Sequence, residues 1–268
     1  SLSADLLITT LCTNQRYTHV GFKNGTDIAC ISTGNFHEGN ARVYTDCLLM
    51  TANRAIVQDV DRVFRFIERP YSPIKFRELL VSPNEMKKRF LRLIDAEIKN
   101  HRAGLPSGIR MKVNHITDPI MVEKIYEAAS SGVPVDLLVR GNCSLIPGQA
   151  QLGGRLKVVG IIDRYLEHSR IFIFAGGGQE QCFIGSADWM PRNLDYRVEV
   201  VTPVYDPTIR AELHTIVDLG LADTSQGRLV DGQGGDTALS AAPGQEPLRS
   251  QEELYEHYLK LEKEELKE

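Results

Sequence analysis

The chain has 268 residues, 42% hydrophobic and 25% charged, the make-up of an ordinary globular protein of one and a half to two domains; it excludes a fibrous or wholly disordered chain. A formal net charge of -4 argues against bulk nucleic-acid binding, so any polyanion has to be met by locally focused arginines. No apolar run approaches the roughly 18 residues that span a bilayer, and the N-terminus lacks a basic-then-apolar signal pattern, so the expected location is the cytoplasm.

Leu6 to Thr10 and Asp27 to Ser32 read as short strands, and Thr51 to Glu68 as a helix after a polar turn. A strand such as Asp27 to Ser32 needs sheet neighbours that the first 75 residues scarcely offer, so this end is expected to complete a lobe that begins upstream. From Pro73 the pattern is regular. Phe76 to Val81 is a predicted strand, and Ser82-Pro83-Asn84-Glu85 supplies an N-cap, a proline at the first helical position and a capping-box glutamate for a helix to about Asn100. Ile109 to Val113 is the next strand, Asp118-Pro119 caps a helix through about Ser131, and Val133 to Val139 is a strand again. Strands follow over Leu156 to Ile161, Ser169 to Phe174, Cys182 to Gly185 and Arg197 to Thr202, and Asp206-Pro207 caps a helix to about Leu219. Glycine, serine, alanine and glutamine between Ala222 and Gln245 mark a flexible segment. Gln251 to Glu268 is helical, with Leu254, Tyr258 and Leu261 on one face, either docked or solvated. The alternation predicts an α/β fold, a mixed sheet flanked by helices. Five cysteines, Cys12, Cys30, Cys47, Cys143 and Cys182, form no C-x-x-C pair, which fits buried, reduced thiols and no structural zinc.

The chemistry-bearing stretch runs from Glu167 to Glu199. His168-Ser169-Arg170 opens an apolar run, and Gly185-Ser186-Ala187-Asp188 closes the next; a histidine one residue from a cation, followed by Gly-Ser-x-Asp, is a grip for a phosphoryl group. Ser32-Thr33-Gly34-Asn35, preceding Asn40 and Arg42, reads as a repeat of Ser186-Ala187-Asp188, preceding Asn193 and Arg197; two unrelated strand-to-loop turns are the plainer alternative. His168 could exchange a proton or stabilise charge on a moving phosphoryl group, although a lone histidine is more often structural. Arg140 ends the strand Val133 to Val139, where ligands of α/β sheets bind; a surface arginine capping a sheet edge is its bland alternative. Tyr44 packs in a core or offers its ring or hydroxyl to a ligand. Arg42, Arg170, Arg192 and Arg197 form a second tier, oriented by Asp188, Asp195 and Glu199 or held in structural ion pairs. His37 lies near the Thr33-Gly34-Asn35 turn, within reach of a ligand; His19, His115, His214 and His257 read as surface or helix positions, and Trp189 as a packing anchor.

A pair of such segments on two α/β lobes resembles the phospholipase D superfamily, whose lobes each carry a His-x-Lys strand followed by Gly-Ser/Thr-x-Asn. Arg170 stands in the lysine's place and trades a point charge for a planar fork. Ser32 to Phe36 with Ala41 to Asp46, Val139-Arg140-Gly141, Leu166 to Arg170 and Ser186 to Asn193 are together similar to the C-terminal half of bacterial polyphosphate kinases of the type-1 family, over about Cys30 to Leu221.

The resemblance implies reversible transfer of the ATP gamma-phosphate to inorganic polyphosphate through a phosphohistidine, with Mg2+. ATP, ADP and polyphosphate are the implied partners, with no nucleic acid, a homo-oligomer when full length and a cytoplasmic, membrane-associated location within its scope. It makes 1–75 the end of a first catalytic lobe, 76–221 a second and 222–268 a flexible segment with a C-terminal helix. Tyr44, Arg140 and His168 match nucleotide-contacting residues, His168 being the catalytic one. No His-x-Lys triplet precedes Thr33-Gly34-Asn35, Cys30 stands where many members have histidine, and the magnesium ligands are expected upstream of residue 1. The chain is therefore expected to be a piece of a longer protein, or a paralogue without its nucleophile, and unable to form phosphohistidine alone. The rival functions are a phospholipase D-like phosphodiesterase, which needs two His-x-Lys strands, and a non-catalytic domain binding polyphosphate, nucleotide or a partner subunit.

Overall fold

The computed structural model describes residues 17–21, 27–69, 73–232 and 234–265. The first part comprises strands β1 (Tyr17–Gly21), β2 (Asp27–Ser32), β3 (Tyr44–Thr45) and β4 (Leu48–Thr51), with helices α1 (Glu38–Ala41) and α2 (Arg54–Glu68). The second comprises β5 (Leu80–Ser82), α3 (Met86–Arg102), β6 (Ile109–Val113), α4 (Pro119–Ser130), β7 (Val135–Val139), β8 (Leu156–Ile161), β9 (Leu166–Glu167), β10 (Ile171–Phe174), β11 (Gln181–Gly185), β12 (Glu199–Val204) and α5 (Pro207–Leu221). β13 (Gly227–Leu229), β14 (Thr237–Ala238) and α6 (Ser250–Glu265) complete it.

Nine strands form one mixed sheet in the order β14-β13-β8-β7-β6-β10-β11-β12-β5. β6, β7 and β8 are parallel, and the remaining pairings are antiparallel, with Ile171 opposite Lys112 and Ile184 opposite Ile171. β1-β2-β4 is a separate antiparallel sheet, and the two residues of β3 pair in parallel with the two of β9. The helices cover both faces of the large sheet because its strands are apolar on both. On one face Phe90 and Ile94 of α3 and Ile125 of α4 pack on Met111, Leu137 and Phe172, with Trp189 wholly buried against Phe90 at a ring separation of 5.3 Å. On the other, Leu213 and Val217 of α5 cover Val159, Ile171, Ile173 and Ile184. Mixed α/β architecture and the packing role of Trp189 are thus as expected.

The predicted elements shift where side chains capture backbone groups. α2 starts at Arg54 because Asn53 accepts from the amides of Ala55 and Ile56, while Thr51 pairs with Ala29 in the sheet. The strand expected over Phe76 to Val81 shrinks to Leu80–Ser82 because Asp59, fully buried, takes the amides of Arg77, Glu78 and Leu79 at 2.8, 2.7 and 3.1 Å. Ser82 caps no helix: its hydroxyl donates to the Asn193 carbonyl at 2.5 Å, and α3 begins at Met86 without a side-chain cap. Asp118 and Asp206 do cap α4 and α5. A π-helical turn over Arg192–Tyr196 delays the following strand to Glu199. The segment from Ala222 to Gln245 is not simply flexible, since β13 extends the sheet beside β8 and β14 pairs with β13. The predicted strand Leu6 to Thr10 lies outside the described residues. No helix among the described residues is long and apolar enough to cross a membrane.

Candidate functional site

The carboxyl ends of β6, β7 and β11 and the amino end of β10 share one edge of the large sheet, so Asn114, Arg140, Asp188 and Arg170 meet there. The β3-β9 pairing delivers the contribution of the first part of the chain. Tyr44 lies opposite Leu166, Leu166 donates to the Val43 carbonyl at 2.8 Å, and the Tyr44 ring comes to 4.7 Å from the His168 imidazole. Beside it Asp46 approaches Nδ1 of His168 at 2.9 and 3.1 Å and accepts from the Thr33 hydroxyl at 2.7 Å. A methyl group on Gly34 would fall 1.9 Å from Oδ2 of Asp46, so only glycine admits this carboxylate. A carboxylate on Nδ1 selects the tautomer that donates there and leaves Nε2 with its lone pair.

Arg170, buried, links the histidine to the Gly-Ser-x-Asp loop. Its Nη1 donates to the carbonyls of Thr33 and His168 at 2.9 and 2.8 Å, and lies 3.2 and 3.1 Å from the two imidazole nitrogens, a near-equal spacing that sets the cation against the ring rather than on one lone pair. Its Nη2 and Nε meet Asp188 at 3.0 and 3.3 Å. Asp188 also accepts from the Asn114 amide at 2.7 Å, and the Asn114 side-chain oxygen accepts from Nε of Arg140 at 2.7 Å. Thr33, Asp46, His168, Arg170, Asp188, Asn114 and Arg140 thus form one continuous chain. Burial would raise the Asp188 carboxyl, but Arg170 outweighs it and holds it below the usual range. Burial, then Arg170, lowers the Arg140 guanidinium.

A second carboxylate stands behind the histidine. Glu167 pairs with Lys112 at 2.6 Å, and Lys112 also donates to the Ser169 hydroxyl at 2.6 Å. Burial pushes the Glu167 carboxyl up, and Lys112, Gln251 and Thr45 together hold it below its ordinary value. A cavity of about 200 Å³ opens beside these groups, lined by Thr45, Lys112, Arg140, Tyr165, Glu167 and residues of α5 and α6. Arg140 also borders a second, of about 370 Å³, under β13.

Tyr44, Arg140 and His168 are therefore brought to one place, joined by Arg170. Arg192 and Arg197 are exposed, and Arg42 pairs with Glu38 at 2.5 Å on the surface. Asp188 orients an arginine as expected. Asp195 instead pairs with Lys87 at 2.6 Å, and Glu199 accepts from Ser186 and Asn193. His37 is exposed and caps α1 by accepting from the Gly39 amide. His115 is no plain surface residue: half-buried beside Asp188, it accepts from the Asn142 amide at 2.9 Å, and burial lowers its ionisation despite Asp188. Asp46, Lys112, Asn114 and Gln251 were not singled out from the sequence. Lys112 had a signal, a cation inside the apolar strand Ile109-Arg110-Met111-Lys112-Val113.

Asp46, Glu167 and Asp188, the carboxylates beside His168, are each committed to a histidine or cation, so these three do not fit a magnesium site. At the far end of the sheet Glu180, Cys182 and His214 converge within 4.8 Å. Burial and Glu180 push the Cys182 thiol up to about 12; its Sγ donates to Oε1 of Glu180 at 3.2 Å, and Nε2 of His214 meets Oε2 of the same carboxylate at 2.8 Å.

A family model described as polyphosphate kinase C-terminal domain 2 matches residues 79–251, and one described as C-terminal domain 1 matches 10–73. The polyphosphate kinase of Escherichia coli K12 is 46% identical over 216 residues, 81% of this chain and 30% of that protein. That of Vibrio cholerae serotype O1 is 38% identical over 248 residues, 92% of this chain and 34% of the relative. The crystal structure of polyphosphate kinase from Porphyromonas gingivalis superposes with a TM-score of 0.83 at 38% identity, over 96% of this chain and 38% of that one. The chain spans about a third of the length of these relatives.

Proposed function

The chain belongs to the polyphosphate kinase family, and from that premise we propose that Tyr44, Arg140 and His168 form the nucleotide side of a site for reversible transfer of the ATP gamma-phosphate to inorganic polyphosphate. The observation that carries this is the hydrogen-bonded chain from Thr33 and Asp46 through His168, Arg170, Asp188 and Asn114 to Arg140. Phosphoryl transfer asks of a protein mainly positioning and charge stabilisation. Arg140, held through Nε, keeps its Nη donors for phosphate oxygens. His168, oriented by Asp46 and set against the Arg170 guanidinium, is placed to hold or pass a proton or to neutralise charge on the phosphoryl group in flight. Tyr44 supplies a ring face or hydroxyl beside it. Magnesium, where the family uses it, would neutralise phosphate charge from ligands other than these residues. The nucleophilic histidine of the reaction is assigned to none of the residues above.

Isothermal titration with ATP and with polyphosphate tests this. His168→Ala is expected to weaken ATP binding about tenfold, roughly 1.4 kcal/mol; unchanged affinity would overturn the assignment. Incubation of this chain with gamma-labelled ATP is expected to leave no acid-labile label, and robust phosphohistidine would show that it carries its own nucleophile.

A further inference from the structure

We infer that Gln251, in the first turn of α6, is a positioning residue for the nucleotide site, acting through Glu167; this rests on the role given above to Tyr44, Arg140 and His168. The pairing that brings Tyr44 to His168 is two residues long on each strand. So short a ladder does not hold its register alone. Beside the Asp46–His168 contact, the Glu167 side chain reinforces it: Oε2 accepts from Thr45 at 3.2 Å and pairs with Lys112 at 2.6 Å. The other oxygen, Oε1, accepts from Nε2 of Gln251 at 2.5 Å. Gln251 also pairs with the Tyr165 backbone in both directions, its Nε2 donating to the carbonyl at 2.9 Å and its Oε1 accepting from the amide at 3.0 Å. One side chain from the far end of the chain therefore clasps Tyr165 and Glu167, just ahead of His168.

The docking of α6 does not depend on this clasp. Arg249 pairs with Asp163 at 2.6 Å, and Ser250 donates to Asp223 through its amide at 2.8 Å and its hydroxyl at 2.6 Å. Removal of the Gln251 amide then releases Oε1 of Glu167 and the Tyr165 backbone, which loosens the β9 register while the helix stays in place. The consequence is selective for the nucleotide, since Tyr44 and His168 move with β9.

The test uses the full-length protein with Gln251→Met, which keeps length and loses every hydrogen bond. The Kd for ATP is expected to rise about fivefold, with polyphosphate binding within about twofold and no loss of melting temperature. Arg249→Ala serves as the counterpart: it removes one anchor of α6 while Ser250 on Asp223 still holds Gln251 in place, and is expected to lower the melting temperature with ATP binding within about twofold. Equal weakening of ATP and polyphosphate in Gln251→Met, with a lower melting temperature, would reduce Gln251 to a structural role and overturn the inference. Unchanged ATP affinity in Gln251→Met would also overturn it, leaving the site intact if Arg140→Ala weakens ATP; unchanged affinity in both variants would sink the site assignment itself.

Discussion

Asp46 does two jobs with one carboxylate: it fixes the His168 tautomer and receives the Thr33 hydroxyl, tying the Thr-Gly-Asn turn to the histidine. Asp46→Asn keeps the shape, but its amide donates where the imidazole must donate, which favours the wrong tautomer. Nucleotide binding or turnover is expected to fall at least about tenfold, with the melting temperature nearly unchanged, as read by titration calorimetry and thermal unfolding of the same sample. Asp188 is a different kind of residue. Its side chain is 5% exposed and that of Arg170 4%, so removing one partner leaves the other as an uncompensated buried charge. Asp188→Ala is therefore expected to cost about 3–5 kcal/mol in denaturant unfolding, far more than a surface pair contributes. A loss below about 1 kcal/mol would mean that water reaches Arg170.

At the level of elements, Asp223, just after α5, ties the turn leading into β13 to the start of α6, 27 residues on. Fully buried, it accepts from the amides of Ser225, Gln226 and Gly227 at 2.9, 2.7 and 3.1 Å and holds Ser250 at the start of α6. Asp223→Ala orphans these donors, and is expected to speed hydrogen exchange across β13 and α6 while β6 and β7 stay protected. This carboxylate also shows where sequence reading stops. Elements set by local signals were legible: the Asp118-Pro119 and Asp206-Pro207 caps, and the apolar runs of β6, β8 and β10. Elements set by a distant side chain were not. Asp59 shortens β5 from within α2, 18 to 20 residues away, and Asp223 fastens Ser250 across 27 residues, and neither of these captures has a local pattern. The site divides the same way. His168, Arg170 and Asp188 were readable as a spaced motif, whereas Asn114 and Gln251 join it only through the fold.

Across the whole molecule, the perturbed groups give acid stability a definite sign. The carboxyl of Asp163 is lowered chiefly by its bond from Arg249, and those of Glu167 and Asp188 are lowered against burial by Lys112 and Arg170. A carboxyl depressed in the folded state takes up protons more readily when unfolded, so its stabilisation is complete above the ordinary carboxylate range and is lost as pH falls through the folded value. His115 acts in the same direction from higher pH. Burial keeps it neutral in the fold, so the unfolded chain binds a proton that the folded chain refuses as pH drops below about 6.5. The melting temperature is therefore expected to slope gently downward from about pH 6.5, then steeply below about pH 4. His115→Gln, whose amide can still accept from Asn142, is expected to remove the shallow part and leave the steep one, and Glu167→Gln to soften the steep part alone. Calorimetric scans from pH 3 to 8 on the three proteins separate the two limbs, and an unchanged shallow limb in His115→Gln would place the higher titration elsewhere.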